Sequence, residues 1–192
     1  MRFTKMHGAG NDYVYVDLFE ETVRDAAALA RAMSDRHKGV GSDGLILLGP
    51  SRAADVRMEM YNADGSRAEM CGNGVRCLAK LAYECGRSKS NPMRVETDSG
   101  LKAVELRLEG GTVVAARVDM GVAALDPEKI PVRLAGPRVV DRETPIFDRT
   151  FPMTCVSMGN PHAVLFVDDV GALDVARYGG ALERSDLFPR RT

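Results

Sequence analysis

A cysteine set beside two glycines is the clearest chemical feature of this sequence. Cys71 opens the segment Cys71-Gly-Asn-Gly74, and a helical apolar pattern over residues 75–83 follows it. The free amides at a helix start and the helix dipole both favour the thiolate form of such a cysteine. Gly72 and Gly74 leave those amides open, so a carboxylate can bind there as anions do at helix starts. The segment therefore combines a base with an anion site.

The other three cysteines carry no comparable signal. Cys77 and Cys85 fall within and near the end of the same predicted helix, so we expect both to be core residues; Cys155 falls in a predicted strand. We expect free thiols, as in a reducing cytosol. There is no Cys-x-x-Cys pair and no suitably spaced histidine, so we predict no metal site.

A glycine-rich loop offers a second motif to test. Gly39-Val-Gly-Ser-Asp-Gly44 matches the Gly-x-Gly-x-x-Gly pattern of dinucleotide-binding loops. Such a loop follows a strand and opens a helix, whereas here a predicted helix (22–36) precedes it and a predicted strand (45–48) follows. We therefore predict no dinucleotide site, and we interpret the glycines as a strained turn beside a ligand.

The composition is that of a soluble globular protein. Apolar residues make up 45% and charged residues 28% of 192 residues, with a net charge of -1. The sequence has no basic stripe, and no apolar run approaches the roughly 20 residues of a bilayer span, so we expect no nucleic-acid or membrane partner. The first ten residues lack the apolar stretch of a signal peptide, and we expect a cytoplasmic protein.

Periodicity predicts an alternation of short strands and helices that would position these motifs. The predicted helices are 22–36, 75–83 and 173–185, the last interrupted at Gly179-Gly180. Gly110-Gly111 is predicted to join two strands as a hairpin. The Pro-rich stretch 126–151 is interpreted as the crossing into a second domain. A weak repeat, Gly10-Asn11 and Gly159-Asn160, each before an apolar strand, predicts two similar halves.

Five segments, taken together, resemble the diaminopimelate epimerases. The resemblance covers essentially the whole chain and corresponds to the amino-terminal two-thirds of the family. The segments, in order, are Met6-His-Gly-Ala-Gly-Asn-Asp12, residues 36–44, Tyr61-Asn-Ala-Asp-Gly-Ser66, Cys71-Gly-Asn-Gly-Val-Arg76 and Met158-Gly-Asn-Pro-His162.

The resemblance implies a two-base epimerase that needs neither pyridoxal phosphate nor a metal. One cysteine, as thiolate, removes the α-proton, and a second, as thiol, protonates the opposite face. The substrate is diaminopimelate, converted between its LL and meso forms for lysine and peptidoglycan synthesis. Two such thiols share one proton, so their titrations are coupled.

The resemblance also assigns residues. Cys71 matches the first catalytic cysteine, and Gly72 and Asn73 match the amides that bind the α-carboxylate. His162 matches a histidine near the cysteines. The asparagines Asn11, Asn62 and Asn160 match side chains of the substrate pocket, a task that suits an uncharged donor and acceptor.

The sequence departs from the family pattern in two respects, the residues expected after Thr192 and, more mildly, the residue at position 44. The second cysteine, expected in a Gly-rich segment beyond residue 200, and a further pocket asparagine, expected just after Thr192, are not among these residues. Gly44 stands where some members of the family have Gln, so that contact is missing.

We predict an α/β (α+β) protein of two pseudo-symmetric domains, 1–120 and an incomplete 121–192. Each domain is predicted to be a curved, mostly antiparallel sheet around a central helix, with the site between the two domains. Because members of the family are often dimeric, the resemblance also implies a homodimer. We expect the 192 residues alone to be impaired in epimerisation. The alternatives are a phenazine-biosynthesis-type isomerase, which normally lacks the cysteine, a cysteine hydrolase that uses Cys71 and His162, and a non-catalytic fragment.

Overall fold

The computed structural model describes residues 1–189 and 192, in two compact units, Met1–Asp119 and Met120–Thr192. Unit 1 contains the elements β1 Thr4–Gly8, β2 Asn11–Asp17, α1 Ala26–Ser34, β3 Gly44–Gly49, β4 Val56–Asn62, β5 Arg67–Ala68, α2 Gly72–Glu84, β6 Met93–Thr97, β7 Gly100–Glu109 and β8 Thr112–Val118. Unit 2 contains β9 Arg142–Ile146, β10 Arg149–Ser157, β11 Pro161–Leu165, a 3-10 turn at Val170–Ala172, and α3 Val175–Glu183.

The sheet of unit 1 curves around α2. Its strand order is β1-β2-β3-β4-β6-β7-β8, with β5 beside β4. The β2–β3 and β4–β6 pairs are parallel and the others antiparallel. Because α2 contacts both edge strands and every strand of the path between them, the sheet must wrap around it. This confirms the predicted α/β class with a curved, mostly antiparallel sheet around a central helix.

The sequence of α2 suits this central position. Leu78, Ala79 and Ala82, predicted as its apolar face, have no exposed surface. Gly74 lets the first turn approach β3, since a Cβ atom there would lie 2.6 Å from Ile46 Cδ1. Burial of this face contributes roughly 25 cal/mol for each Å² of apolar surface removed from water. The helix that carries Cys71 is therefore fixed by the core of the unit.

Strand β3 is buried on both faces. Ile46 and Leu48 pack in the cluster that contains α2, while Leu45 and Leu47 pack in the cluster that contains α1. A strand covered on both sides is apolar at every position rather than at every second one. The Asp25 side chain caps α1 by accepting from the Ala28 amide at 2.9 Å, so α1 begins at Ala26, four residues after the start of the predicted helix 22–36.

Unit 2 is built on a three-stranded antiparallel sheet, in the order β11-β10-β9, with α3 against β9. The prediction that Gly179-Gly180 interrupts the last helix is wrong, because α3 runs through both glycines. Tyr178 and Leu182 are buried in the apolar cluster beneath it, and this packing outweighs the roughly 1 kcal/mol that each glycine costs in a helix.

The two Gly-Asn motifs occupy the same local setting in their own units. Gly10, at φ 86°, turns β1 into β2, and Gly159, at φ 114°, turns β10 into β11, each as an antiparallel hairpin. The predicted Gly110-Gly111 hairpin between β7 and β8 is also present, and both of its glycines have positive φ. None of the helices in the described residues is long and apolar enough to cross a membrane.

Candidate active site

Cys71 is the capping residue at the start of α2, as the sequence predicted. Its backbone is extended, at φ -135° and ψ 119°, and its Sγ accepts a hydrogen bond from the Gly74 amide at 3.4 Å. The side-chain amide of Asn11 donates a second hydrogen bond to the same sulfur, at 3.5 Å. Two N–H groups, one from the start of α2 and one from the first residue of β2, thus converge on a half-buried sulfur, an arrangement that complements negative charge there.

The first turn of α2 leaves amides for a ligand. Gly72 and Asn73 are the first two helical residues, and helix geometry gives their amides no acceptor within the helix. The Asn73 side chain is already engaged, because its Oδ1 accepts from Arg76 at 2.5 Å. The backbone amides of Gly72 and Asn73 are thus available as donors to a ligand. The carboxylate-binding role that the resemblance implies for them stays a prediction.

One end of the unit 1 sheet carries two of the asparagines that the resemblance assigns to the pocket. Asn11 is the first residue of β2, and Asn62, at the end of β4, pairs with Gly44 at the start of β3. The Asn62 side chain donates to Ser66 Oγ at 3.0 Å and closes the turn that follows β4. The strands thus place two of the predicted pocket residues at the same end of the sheet.

Gly44 occupies a position with no space for a side chain. A Cβ atom there would collide with the Tyr61 carbonyl oxygen and lie 2.9 Å from Cε1 of Tyr13. A glutamine at this position would need the β3–β4 pair to move apart. Glycine is therefore sterically required at position 44 of this chain, and the contact that a glutamine would make is missing for this reason.

An ion cluster that sequence analysis missed supports the same end of the sheet. Arg36 contacts Asp12 at 2.8 Å and Asp43 at 2.9 Å, and Lys5 contacts Asp12 at 3.1 Å. The Arg36 and Lys5 side chains hold the pKa of the Asp12 carboxyl well below its usual range. Since Asp12 follows Asn11 directly, this cluster holds the strand that aims Asn11 at the sulfur.

The glycine-rich loop closes back on α1 rather than opening a helix. The Gly39 and Gly41 amides donate to carbonyl oxygens of Asp35 and Met33, near the end of α1, and β3 follows the loop. Gly41 has φ 76°, so the strained turn that was predicted is present. A helix thus precedes the loop and a strand follows it, the reverse of the order in a dinucleotide-binding loop.

Tyr13 lies on the same face of β2 as Asn11 and is buried in the α2 cluster. Burial raises the pKa of Tyr13, and the neighbouring Cys71 sulfur adds to the increase. Its phenol therefore stays protonated beside Cys71. Sequence analysis did not identify Tyr13, because no pattern marks it beyond its place two positions after Asn11.

Within unit 2, Asn160 lies in the turn between β10 and β11. His162, in β11, pairs with Val156 of β10. Both side chains are exposed. The roles that the resemblance implies for them remain predictions.

Cys77 and Cys155 are buried, at 8% and 0% exposure, and burial raises the pKa of both thiols, that of Cys155 to about 11. The prediction that Cys85 is a core residue is wrong. It ends α2 at the surface, because the helix leaves the core in its last turn.

Two cavities lie away from Cys71. One of about 620 Å³ in unit 2 is lined by Phe151, Phe166 and Asp168 among others, and one of about 360 Å³ in unit 1 is lined by Arg2, Cys85 and others. Across residues 1–189 and 192, no group of three His, Cys, Asp or Glu side chains is arranged to hold a metal ion.

Comparison with known proteins identifies the family. The family model described as diaminopimelate epimerase matches residues 3–125. A diaminopimelate epimerase of Agathobacter rectalis is 52% identical over 199 aligned residues, which cover the whole of this chain and 70% of that protein. A diaminopimelate epimerase of Acetivibrio thermocellus is 49% identical, with 100% and 68% covered.

A solved structure supports the fold independently. The hydroxyproline epimerase of Agrobacterium vitis, solved with bound trans-4-hydroxy-L-proline, superposes with a TM-score of 0.61 at 15% identity. The match covers 95% of this chain and 54% of that one, so this chain spans just over half the length of the solved protein. This likeness concerns the fold, whereas the sequence matches show that the chain belongs to the diaminopimelate epimerase family.

Proposed function

We propose that the protein containing this chain interconverts LL- and meso-diaminopimelate by removing and returning the α-proton without a cofactor, with Cys71 as one of two acid–base groups. The carrying observation is the pair of N–H donors, from Gly74 and Asn11, directed at the Cys71 sulfur. A sulfur so placed can accept a proton from carbon and hold the negative charge that precedes this step.

The amides of Gly72 and Asn73 supply the second part of the chemistry. When the α-proton leaves, negative charge spreads from the α-carbon into the carboxylate. Backbone N–H groups fixed by the helix start can stabilise that charge without reorganising, which is how preorganised donors lower such barriers. Asn11 and Asn62 provide neutral donors and acceptors for the rest of an amino acid.

The second acid–base group is proposed to be another cysteine, outside these 192 residues. Cys77 is buried, and Cys85 follows the last residue of the 13-residue helix that Cys71 begins, so the two ends lie about 20 Å apart. Neither can reach the opposite face of a carbon held at Cys71. This chain spans 68–70% of the length of the two relatives described above, which leaves room for the second group in the remainder.

The test is α-proton exchange in D₂O by the full-length protein. Each diaminopimelate isomer is incubated with enzyme, and loss of the α-proton signal and change of stereochemistry are followed by NMR and chiral chromatography. Cys71→Ala is expected to lower inversion by at least about 10²-fold, the scale of lost acid–base catalysis. Cys85→Ala, exposed and remote, serves as the control and should retain activity.

Unchanged inversion in Cys71→Ala contradicts the proposal. A cysteine hydrolase would give a covalent adduct and no α-proton exchange at all. His162→Gln in the same assay tests the histidine role, which rests on the resemblance alone.

A further inference from the structure

Arg76 is fixed against the first turn of α2 by two hydrogen bonds. Its Nη1 donates to the Gly72 carbonyl at 3.0 Å, and its Nη2 donates to Asn73 Oδ1 at 2.5 Å. The side chain is half-buried. Gly72 and Asn73 are the residues whose amides serve the carboxylate in the proposed function, and Arg76 contacts both of them.

We propose that Arg76 is a positioning residue for this turn: it holds the Asn73 side chain off the site and supplies the positive charge that draws a carboxylate to Cys71. The inference rests on the proposed function, since the carboxylate is that of the amino-acid substrate. Its chemistry, however, applies to any small carboxylate that approaches the sulfur.

The positive charge of Arg76 lies near the start of α2, where it destabilises the helix electrostatically. The positive end of the helix dipole favours acidic side chains in the first turn and disfavours cations there. The first turn of α2 has no acidic residue. Arg76 is the fifth residue of the helix, and its guanidinium reaches back to the Gly72 carbonyl in that first turn. A sequence that departs from a local stability rule in this way is typical of a functional site. The two hydrogen bonds offset part of the electrostatic cost.

The fork of the guanidinium explains why an arginine is used. One nitrogen binds the Gly72 carbonyl while another binds Asn73, and a lysine ammonium cannot match both acceptors with the same rigidity. The other side of Asn73 is covered by the chain at Gly8, where an added Cβ atom would lie 3.1 Å from the Asn73 carbonyl oxygen and 3.2 Å from its Cβ. Asn73 is thus held from two sides, and its amide keeps one direction.

The test compares two alkylating reagents at Cys71 in the full-length protein. Iodoacetate carries a carboxylate and iodoacetamide does not, so the ratio of their rate constants reports how strongly the site draws a carboxylate. Arg76→Met is expected to lower this ratio about three- to tenfold, because it removes the positive charge that contacts Gly72 and Asn73, the residues next to Cys71. The iodoacetamide rate itself normalises for any change in exposure of Cys71.

Two further variants separate charge from structure. Lys80→Met removes one positive charge one turn further along α2, where Lys80 contacts Glu84 and the Val113 carbonyl, and should leave the ratio within about twofold. Arg76→Lys keeps the charge and should preserve most of the ratio, but it should raise the KM for diaminopimelate because Asn73 is no longer fixed. If Arg76→Met does not fold, Arg76→Lys still carries the test through its KM.

An unchanged ratio in Arg76→Met, an equal fall in Lys80→Met, or an unchanged KM in Arg76→Lys overturns the inference. The alkylation ratio does not depend on epimerisation. A fall in the ratio without any α-proton exchange by the wild type would therefore uphold Arg76 as the carboxylate-attracting residue while removing the proposed reaction.

Discussion

The four cysteines of this chain lie in different environments, and their reactivities should differ accordingly. Cys85 is exposed and Cys71 half-buried, whereas Cys77 and Cys155 are buried with raised pKa values. At pH 8 the two buried groups remain thiols, and the thiolate is the nucleophile. Iodoacetamide is therefore expected to modify Cys71 and Cys85 in the native protein and to spare the other two.

Peptide mass spectrometry over a time course measures this pattern. In denaturant, where burial is lost, all four cysteines should react at similar rates. Native labelling of Cys155 as fast as that of Cys85 would show that the unit 2 core does not protect it.

Asp12 is the residue whose titration should matter most for stability. Arg36 and Lys5 lower its pKa in the folded state, while in the unfolded chain it stays near 3.9. A carboxyl group with a depressed folded pKa stabilises the protein above its unfolded pKa, and the contribution is lost as the pH falls toward the folded value. Asp12→Asn should therefore lower the free energy of unfolding at pH 7, with a deficit that shrinks below about pH 4.

Urea unfolding at pH 7, 4 and 3 gives the comparison. Glu105→Gln is the control, because Glu105 is 65% exposed and lies 3.8 Å from an even more exposed Arg117, and such a surface pair contributes little to stability. A deficit in Asp12→Asn that stays constant from pH 7 to pH 3 would rule out the ion cluster as its source.

At the scale of elements, β3 offers a matched pair of glycines, one at each end. A Cβ atom at Gly44 meets the Tyr61 main chain, whereas at Gly49 the nearest atom is a Leu18 methyl group at the ordinary distance of 3.4 Å. Gly44→Ala is expected to cost about 1–3 kcal/mol or more in the free energy of unfolding, as overpacking does. Gly49→Ala should change it by less than about 1 kcal/mol, because Ala is the better strand residue of the two.

Thermal or urea unfolding of both variants tests the steric argument. Equal losses would mean that the β3–β4 pair yields at Gly44 and that the glycine there is not a steric requirement. Gly44→Ala should also reduce Cys71 reactivity, since Tyr13 lies against Gly44 and beside the sulfur.

Local patterns in the sequence were enough to predict the elements that carry the site. Cys71 at a helix start and the Gly110-Gly111 hairpin follow from neighbouring residues, and the structure has both. The Arg36 cluster was missed because its partner Asp12 is 24 residues away and only the parallel β2–β3 pairing brings them together. The exposure of Cys85 was missed because the apolar pattern of α2 does not show where the helix leaves the core.

At the scale of the whole molecule, the prediction concerns the 192 residues by themselves. Among the cysteines in the described part of the chain, Cys71 alone both begins a helix and accepts a hydrogen bond from an asparagine side chain, that of Asn11. With one acid–base group, we expect α-proton exchange of at most one diaminopimelate isomer and inversion lowered by at least about 10²-fold relative to the full-length protein. The D₂O assay on the two proteins side by side measures it, and an equal rate of inversion would contradict the two-base proposal.

The roles of residues in unit 2 could not be predicted from local sequence patterns. Asn160 and His162 were assigned by resemblance, and their exposed positions around the β10–β11 turn depend on the hairpin formed by Gly159. The roles assigned to them stay predictions, because the spacing of residues along the chain does not by itself encode which distant side chains meet in one site.

Sulfur is a poor choice for the capping position that Cys71 fills. Serine, aspartate and asparagine are the preferred caps, because an oxygen acceptor binds the third amide of a helix more tightly than a sulfur does at 3.4 Å. Cys71→Ser should thus raise the melting temperature slightly in calorimetry while removing epimerisation. Serine differs from cysteine by one atom, so a gain in stability together with a loss of epimerisation in Cys71→Ser would separate the capping role of this residue from its proposed acid–base role.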